Sequence, residues 1–276
     1  MELQPRLPYL HGVKWVWILL FLCLVAETAF ADDQDPGPER WHAPFGGTFS
    51  ANFTLASEYT SSGISQTQLK PAFQAGLDYK SPLLPAPFPL WLYASVWGSN
   101  VDFPTTGSAV EIQLLGGVRF RAYGDRLGVD LGYIHHAYPG IPASLSYDYD
   151  EISLNVGYDF GVASLAGRLR YSPDSYGNSG PSWNKRASLA VPLPFLKVSE
   201  DIAFKLYGTL GNIWVDRYLE FGIPSADYWY WQVGLVTSAY GLDFTTAFTD
   251  TSIEPSGCAH TRYCAARFFV SVTKVF

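Results

Sequence analysis

Hydrophobic and polar residues alternate along most of the chain after residue 48. In residues 110–121, VEIQLLGGVRFR, the even positions are mainly apolar, while the odd positions include Glu111, Gln113 and Arg119. Residues 151–159, EISLNVGYD, and residues 201–210, DIAFKLYGTL, repeat this pattern. A period of two is that of a β-strand with one apolar and one polar face. The pattern therefore predicts an all-β protein.

Twelve segments carry this alternation. The predicted strands are residues 48–60, 71–80, 90–99, 109–121, 126–137, 147–159, 161–172, 183–194, 200–213, 227–239, 241–249 and 265–276. WLYASVW, residues 91–97, could bury either face, and Pro192 and Pro194 weaken the eighth strand. An even number of antiparallel strands brings the last beside the first. We therefore expect a closed antiparallel β-barrel of about twelve strands, in which residues 265–276 pair with residues 48–60.

The connections between these segments alternate in length. AYGD, DFG and AYG are very short, whereas NVDFPTTGS, YPGIPASLSYD, SPDSYGNSGPSW, NIWVDRYLEFGIPSAD and DTSIEPSGCAHTRYC are long. SPLLPAPFP and FLKVSE occupy positions where the alternation in length calls for a short turn, but they are longer than the other short turns. Short turns at one end of a barrel and long loops at the other are typical of transmembrane β-barrels.

The polar face of the predicted strands carries many charges. They are Glu58, Asp78, Glu111, Arg119, Arg121, Asp130, Glu151, Arg168, Arg170, Lys205 and Asp243. A twelve-stranded barrel encloses a lumen too wide for apolar side chains to fill neatly. We therefore expect apolar faces in lipid and charged faces lining the lumen, since a closed sheet satisfies every backbone amide within a bilayer. The alternative is a soluble barrel with an apolar core and external charges.

Aromatic residues near the strand ends are predicted to form girdles at the membrane interfaces. They are Tyr59, Tyr79, Trp97, Tyr158, Tyr171, Trp229, Trp231 and Phe276. The alternative is ordinary core packing. Phe276 is predicted to close the last strand against the first at the periplasmic interface, with Lys274 reaching the same interface.

Two tight turns predict which charges face each other. The turn at residues 122–125 places Arg119 directly across from Asp130, near the periplasmic end of the barrel. The turn at residues 159–161 places Glu151 opposite Arg168 or Arg170, near the outer rim. Both pairs are expected inside the barrel.

The first 31 residues have the order of a secretory signal peptide. Residues 1–14 carry the two bases Arg6 and Lys14. The next eleven residues, WVWILLFLCLV, are apolar throughout, and Ala29-Phe30-Ala31 provides an A-x-A cleavage site. The alternative, a membrane anchor, would need roughly 20 apolar residues. We therefore predict a signal peptide at residues 1–31, a periplasmic segment at residues 32–47 and a transmembrane barrel at residues 48–276.

Composition and charge restrict the classes of partner. The net charge of −7 at pH 7 argues against nucleic acid, which calls for a basic surface. The chain has 25 Gly, 19 Pro and 16% aromatic residues, which suits a β-rich chain with many turns.

Few residues suggest chemistry. Cys258 and Cys264 are predicted to form a loop disulfide in an oxidising compartment. A metal site would need more ligands than these cysteines and His260 provide. A lipase-like enzyme would need Ser and His in contact, and no motif joins His135 or His136 to a serine. We therefore expect no enzyme activity, no metal and no cofactor.

Four stretches resemble a known family, the TorF-like porins of Gram-negative bacteria. They are SEYTSSGISQTQLKPAFQAGLDY at 57–79, ASVWGSNVDF at 94–103, EIQLLGGV at 111–118 and DLGYIHHAYPG at 130–140. The second half of the chain fits only through its alternation and Phe276. The resemblance implies an outer-membrane β-barrel whose partners are the lipid bilayer and the outer-membrane assembly machinery, for which a terminal aromatic is a familiar tag. Residues 63–66 are interpreted as a tight extracellular turn, with a binding role as the alternative.

Two functions are compatible with these features. The first is a porin or channel in the cell outer membrane for passive passage of small solutes or ions. The second is a structural or adhesive barrel, with little or no conductance, whose extracellular loops bind a partner. The predicted inward charges nearly balance, so they could pair across the lumen and block it.

Overall fold

The fold is taken from a computed structural model that describes residues 44–84, 89–103, 106–196, 198–258 and 260–276. The predicted signal peptide, residues 1–31, and most of the predicted periplasmic segment, residues 32–47, lie outside the described residues.

Twelve antiparallel strands form a closed barrel, as the alternation predicted. Counting a short hairpin in addition to the barrel wall, the strands in the described residues are β1 (Thr48–Ala56), β2 (Thr60–Ser61), β3 (Ile64–Ser65), β4 (Ala72–Lys80), β5 (Leu90–Phe103), β6 (Gly107–Ala122), β7 (Leu127–Ala137), β8 (Tyr149–Asp159), β9 (Ser164–Ser172), β10 (Ser182–Pro192), β11 (Ile202–Val215), β12 (Asp227–Ala239), β13 (Leu242–Thr251) and β14 (Arg267–Val275). β2 and β3 form a separate two-stranded hairpin, and the other strands make the barrel wall in sequence order.

The barrel closes between β1 and β14. Asn52 lies opposite Val275, and Ala56 lies opposite Ser271. Beyond this register, the Phe276 amide donates to the Ala51 carbonyl at 2.8 Å, and the Ala51 amide donates to the Phe276 carbonyl at 3.2 Å. The predicted pairing of the last and first strands is therefore confirmed.

The barrel is apolar outside and polar inside. In β8, Ile152 and Leu154 are exposed, whereas Glu151, Ser153 and Asn155 are buried. Exposed apolar side chains continue on the outer faces of other strands, among them Leu77, Leu114, Leu131, Leu165, Leu189, Leu210, Val233 and Val270. A soluble β-sandwich or barrel has the opposite distribution. The outward apolar face is that of a β-barrel in lipid.

The two ends of the barrel carry connections of different length. At one end, residues 123–126, 160–163 and 240–241 form short turns. At the other end, which we call the mouth, long loops follow β7, β9, β11 and β13, and one contains the short helix α1 (Tyr218–Phe221). The connection between β5 and β6 was predicted to be long. In the structure β5 reaches Phe103 and β6 begins at Gly107, because both strands extend farther than the alternation indicated.

No helix in the described part of the chain is long and apolar enough to cross a membrane.

The predicted aromatic girdle is partly wrong. Trp229 and Phe276 are exposed, but Tyr59 and Trp97 are buried. Their rings meet edge to face with centroids 5.5 Å apart. Trp97 is buried because the odd-numbered residues of β5 face the interior, which the alternation of this segment did not determine. Tyr59 is buried because it lies on a segment that turns inward after β1.

One of the two predicted charge registers is correct. Arg119 pairs directly with Asp130 between β6 and β7. Between β8 and β9, however, Arg168 lies opposite Asn155 and Arg170 lies opposite Ser153. The predicted turn was too short, since Asp159 pairs with Ser164 and the connection comprises residues 160–163.

Candidate functional site

The candidate site is the barrel interior, which we call the bore. Its best-defined ion pair joins Arg119 of β6 to Asp130 of β7. Arg119 Nε and Nη2 donate to Asp130 Oδ2 at 3.0 and 2.9 Å. Tyr93 and Asn155 donate to the other carboxylate oxygen, each at 3.1 Å. Only 6% of Arg119 and 1% of Asp130 is exposed, so the pair is almost completely shielded from solvent.

A second group, the glutamate–histidine network, consists of Glu111, His136, Glu151 and Arg170. His136 Nδ1 lies 3.1 Å from Glu111, and its Nε2 lies 3.1 Å from Glu151. Arg170 Nη1 also donates to Glu151 at 3.1 Å. Ionised carboxylates only accept hydrogen bonds, so both ring nitrogens of His136 donate when both glutamates are charged. The network then holds two negative and two positive charges.

The chain between β1 and β4, residues 57–71, folds into the mouth of the barrel. We call it the inward loop. At its tip, Ser62 accepts hydrogen bonds from Asn184 of β10 at 3.0 Å and from Tyr228 of β12 at 3.2 Å. Tyr59 packs on Trp97 of β5. Strands β5, β10 and β12 lie in different parts of the wall, so a segment that touches all three crosses the bore.

Arg267 of β14 holds the inward loop. Its Nε donates to Glu58 at 2.7 Å, its Nη2 to Thr60 Oγ1 at 3.0 Å, and its Nη1 to the Gly63 carbonyl at 3.1 Å. A guanidinium presents its donors in a fixed fork, so these contacts define the position of the loop.

The turn at the loop tip needs glycine. Ser62 and Gly63 both have positive φ, 47° and 82°, as in the two-residue turns that favour glycine. A Cβ on Gly63 would approach Thr251 Cγ2 to 2.4 Å, so the tip fits closely against the wall. The tight turn consists of Ser62 and Gly63. It overlaps the predicted turn at residues 63–66 only at Gly63, because Ile64 and Ser65 form β3, and it lies inside the mouth of the barrel.

The inward loop is also linked to the glutamate–histidine network. Tyr59 of the loop lies close enough to the Glu111 carboxylate for the two groups to interact electrostatically. Burial raises the pKa of Tyr59 and of the neighbouring Tyr138 well above their usual range, so both phenols remain neutral.

A third group, the arginine cluster, comprises Arg168 and Arg170 of β9 and Arg186 of β10. Arg168 pairs directly with Arg186 in the β9–β10 register. Arg168 and Arg170 are buried, whereas Arg186 is half-buried. Arg168 also hydrogen-bonds the Tyr230 hydroxyl, which donates to Asn184 Oδ1 at 2.9 Å.

The wall on the opposite side of the bore is less charged. Tyr207, Val236, Ala247 and Phe269 pack together there. Ser188 and Thr209 hydrogen-bond above this cluster at 3.1 Å. The bore is therefore asymmetric, with most of its charge on β6 to β10.

The remaining predicted lumen residues lie nearer the short turns. Asp78 accepts from Ser95 at 2.5 Å, and Asp243 accepts from Ser238 at 2.5 Å. Arg121 lies over the Trp91 ring, with its guanidinium carbon 5.8 Å from the centroid. These three and Lys205 are half-buried.

The mouth is bordered by a loop disulfide and an aromatic cluster. Cys258 and Cys264 are disulfide-bonded between β13 and β14, with their Cα atoms 6.1 Å apart. Rings from the end of β5 and from three connections form a chain of contacts at 4.3 to 6.2 Å between centroids: Phe103, Tyr138, Tyr147, Tyr176 and Phe221.

The histidines lie in two different surroundings. His135 faces outward and contacts Asp150 at 2.8 Å, whereas His136 faces the bore. Within the described residues, no group of three or more His, Cys, Asp or Glu side chains is placed to hold a metal ion.

Sequence reasoning missed several residues of the bore. Arg186 sits among Asn184 and Ser188 on the even face of β10, a signal that was present but not used. Arg267 was not among the predicted lumen residues, and His136 was considered only as a possible catalytic residue. Their contacts come from the inward loop and from distant strands, which local alternation cannot predict.

A family model described as "Bacterial protein of unknown function (Gcw_chp)" matches residues 42–276. No curated protein matches the chain.

Several solved barrels are similar in structure. The KdgM porin shares 9% identity over 82% of this chain and 99% of its own, with a TM-score of 0.49. The NanC porin shares 12% identity over 83% and 98% of the two chains, with a TM-score of 0.44. LpxR from Salmonella typhimurium shares 11% identity over 82% and 99%, with a TM-score of 0.46. At these values, none of the neighbours indicates a function for the chain.

Proposed function

The chain belongs to the Gcw_chp family of bacterial proteins of unknown function, and we propose that it is an outer-membrane β-barrel through which small solutes or ions pass. The observation that carries this proposal is a closed barrel with an apolar exterior and a polar bore, narrowed at its mouth by the inward loop.

The apolar exterior supports placement in a membrane. A bilayer leaves no water for backbone amides, and a closed sheet satisfies all of them internally. The exposed Leu and Val residues would be costly in water but face hydrocarbon favourably in lipid. With short turns toward the periplasm and long loops outside, β1 would begin and β14 would end on the periplasmic side. The finer assignment to TorF-like porins is part of this proposal.

The polar bore supports passage of solutes and not only anchoring. A barrel that served only as a membrane anchor has no need of Glu111, Arg119, Asp130 and Arg170 within its lumen. Charged side chains in pores set which solutes enter and leave. The inward loop would limit passage to small solutes.

We further propose that Phe276 promotes assembly. Its backbone pairs with Ala51 while 70% of the residue stays exposed, so its ring is available to outer-membrane assembly machinery. Phe276→Ala should keep the same backbone hydrogen bonds but accumulate less folded barrel in cells, as measured by heat-modifiable migration. Unchanged yield would contradict this role.

Conductance in planar lipid bilayers tests the channel. The refolded protein should conduct weakly, and replacing residues 60–65 by a Gly-Ser pair should raise the conductance severalfold, because the loop tip leaves the bore. The matched control removes the same length from the exposed loop at residues 140–145 and should leave conductance unchanged.

The second candidate is a structural or adhesive barrel. It is favoured by the low exposure of Asp130, Glu111 and His136, whose side chains are packed within the bore, and by the aromatic cluster at the mouth. Absence of conductance in both the wild-type and the loop-shortened proteins would overturn the channel and favour this role.

A further inference from the structure

We propose that the less charged wall of the bore binds small neutral polyhydroxylated solutes, such as glycerol or a simple sugar. The carrying observation is a group of buried polar atoms that have no hydrogen-bond partner within the described residues: Tyr207 Oη, Gln232 Nε2, Thr245 Oγ1 and Ser271 Oγ. We call these four residues the hydroxyl patch. The inference deepens the proposed channel function, on which its role in transport rests, by naming the class of solute.

The hydroxyl patch is formed by four consecutive strands of the barrel wall, β11 to β14. Thr245 of β13 lies directly opposite Ser271 of β14. The Tyr207 side chain of β11 lies over Gly234 of β12, where a Cβ would lie 2.8 Å from its hydroxyl oxygen. Gln232 is the preceding residue on that face of β12. The Tyr207 hydroxyl therefore lies above β12, between its own strand and the pair formed by Thr245 and Ser271.

The unpaired atoms of the patch are costly in the absence of a ligand. Only 6% of Tyr207, 2% of Thr245 and 4% of Ser271 is exposed. A buried polar atom without a partner is destabilising, because it has lost its hydrogen bonds to water. Such atoms are rare in folded proteins, so several in one place call for a bound solute or water. A solute that supplies the missing hydrogen bonds removes this cost when it binds.

The chemistry of the patch matches a polyol. Each of its three hydroxyl groups can donate and accept, as can the hydroxyl groups of a polyol, and the Gln232 amide nitrogen donates. Tyr207 also packs with Phe269 and Val236, which provide an apolar surface for the C–H groups of a sugar. Gln232 is half-buried, so it is the member of the patch that a solute in the bore contacts first.

The charges that border the patch are balanced, which favours a neutral solute. Lys205 and Asp243 lie toward the short turns, on β11 and β13. Toward the mouth, Arg267 donates to Glu58 at 2.7 Å. A charged solute would add a charge that this wall does not balance, and burial of an unbalanced charge is costly. A neutral polyol avoids this cost.

The test measures binding to the protein folded in detergent. The midpoint of thermal unfolding is recorded in increasing glycerol or glucose for the wild-type protein, for Thr245→Val and for Thr246→Val, which removes an exposed hydroxyl from the outer face of the same strand. Polyols stabilise proteins generally because they are excluded from the surface, and this effect is common to all three proteins. The wild-type protein and Thr246→Val should gain more than Thr245→Val, because they bind the polyol in the folded state. Equal gains in all three would overturn the proposal.

Tyr207→Phe distinguishes a solute site from a site that holds a permanent water. Without polyol, loss of an unpaired hydroxyl should not lower the midpoint of unfolding. The apparent affinity for the polyol should fall about fivefold, as expected for loss of one hydrogen bond. A lower midpoint without polyol, together with unchanged affinity, would show that water fills the site and would overturn the proposal. If Thr245→Val fails to fold, Ser271→Ala removes the facing hydroxyl and should show the same reduced gain.

Swelling of lipid vesicles that contain the protein separates this inference from the channel itself. Faster swelling in glucose than in sodium gluconate, which has a similar size but carries a charge, supports both. Conductance of KCl without polyol binding overturns the inference alone. Polyol binding without conductance overturns the channel and leaves the binding site standing.

Discussion

At the scale of single residues, the bore depends on buried charges whose partners are supplied by neighbouring strands. Asp130 receives hydrogen bonds from Arg119, Tyr93 and Asn155, and all of these side chains face the interior. Burial of a charge is costly unless it is paired and hydrogen-bonded. Removal of one partner is therefore more damaging than removal of both.

Arg119→Ala is expected to lower the free energy of unfolding by about 3–5 kcal/mol, because Asp130 would remain buried without its cation. The measurement is urea unfolding of the barrel in lipid vesicles. The paired change Arg119→Met with Asp130→Leu should recover most of the loss. Lys70→Ala, which removes a pair between the exposed Lys70 and Asp102, is the control and should have little effect. Equal effects of Arg119→Ala and Lys70→Ala would contradict this account.

Alternation along the sequence placed Arg119 and Asp130 correctly, since both lie a few residues from a short turn. It could not predict the pairing of Glu151. The turn after β8 is longer than expected, so Arg170 reaches Glu151 diagonally and not from the directly opposite position. Register depends on turn geometry, which residue type alone specifies weakly.

At the scale of elements, the inward loop is the largest departure from the sequence-based expectation. Residues 57–60 alternate like a strand, and β1 was therefore predicted to continue to residue 60. The strand ends at Ala56 because contacts within the bore, above all those of Arg267, hold the following residues away from the wall. Tertiary contacts of this kind leave no local periodic signal.

Arg267→Ala is expected to release the loop tip. Ser62→Cys provides a reporter at the loop tip, and its rate of modification by a charged thiol reagent is measured with and without Arg267→Ala. The rate should rise in the Arg267 variant, because three hydrogen bonds from the arginine side chain to the loop are lost. The control is Arg217→Ala, which removes an exposed arginine paired with Asp174 in another loop. An unchanged rate in the Arg267 variant would show that the other contacts of the loop suffice to hold it.

The disulfide between Cys258 and Cys264 acts on its own loop more than on the barrel. Five residues separate the cysteines, so the gain from restricting the unfolded chain is below the roughly 3 kcal/mol given for a fifteen-residue loop. We expect replacement of both cysteines by serine to leave heat-modifiable migration unchanged while proteolysis within residues 252–266 becomes faster. In the wild-type protein, neither thiol should be alkylated without reductant; labelling under those conditions would show that the bond does not form.

At the scale of the whole molecule, the distribution of apolar residues is the property that the sequence predicted most fully. A period of two specifies which residues share a face, and the large number of charges on one face indicates that this face cannot lie in lipid. Twelve strands, closure of β14 on β1 and the position of the short turns follow from this pattern together with the connection lengths. The contents of the bore do not follow, because they depend on which inward residues meet across the barrel.

Leu154→Arg tests the membrane placement directly. Leu154 is exposed on the outer face near the middle of β8, where it pairs with Leu131 and Leu169 on the adjacent strands. An arginine at mid-depth on a lipid face costs about 2–4 kcal/mol, and this cost falls toward the interfaces. We therefore expect Leu154→Arg to lower the free energy of unfolding in lipid vesicles by that amount. Leu145→Arg, at an exposed position in the loop after β7, should have little effect. The measurement distinguishes lipid from water around this barrel, because an arginine at the exposed Leu154 position would cost nothing if the outer face were in water. Equal stability of the two variants would therefore contradict the placement of this barrel in a bilayer, and with it the proposed channel.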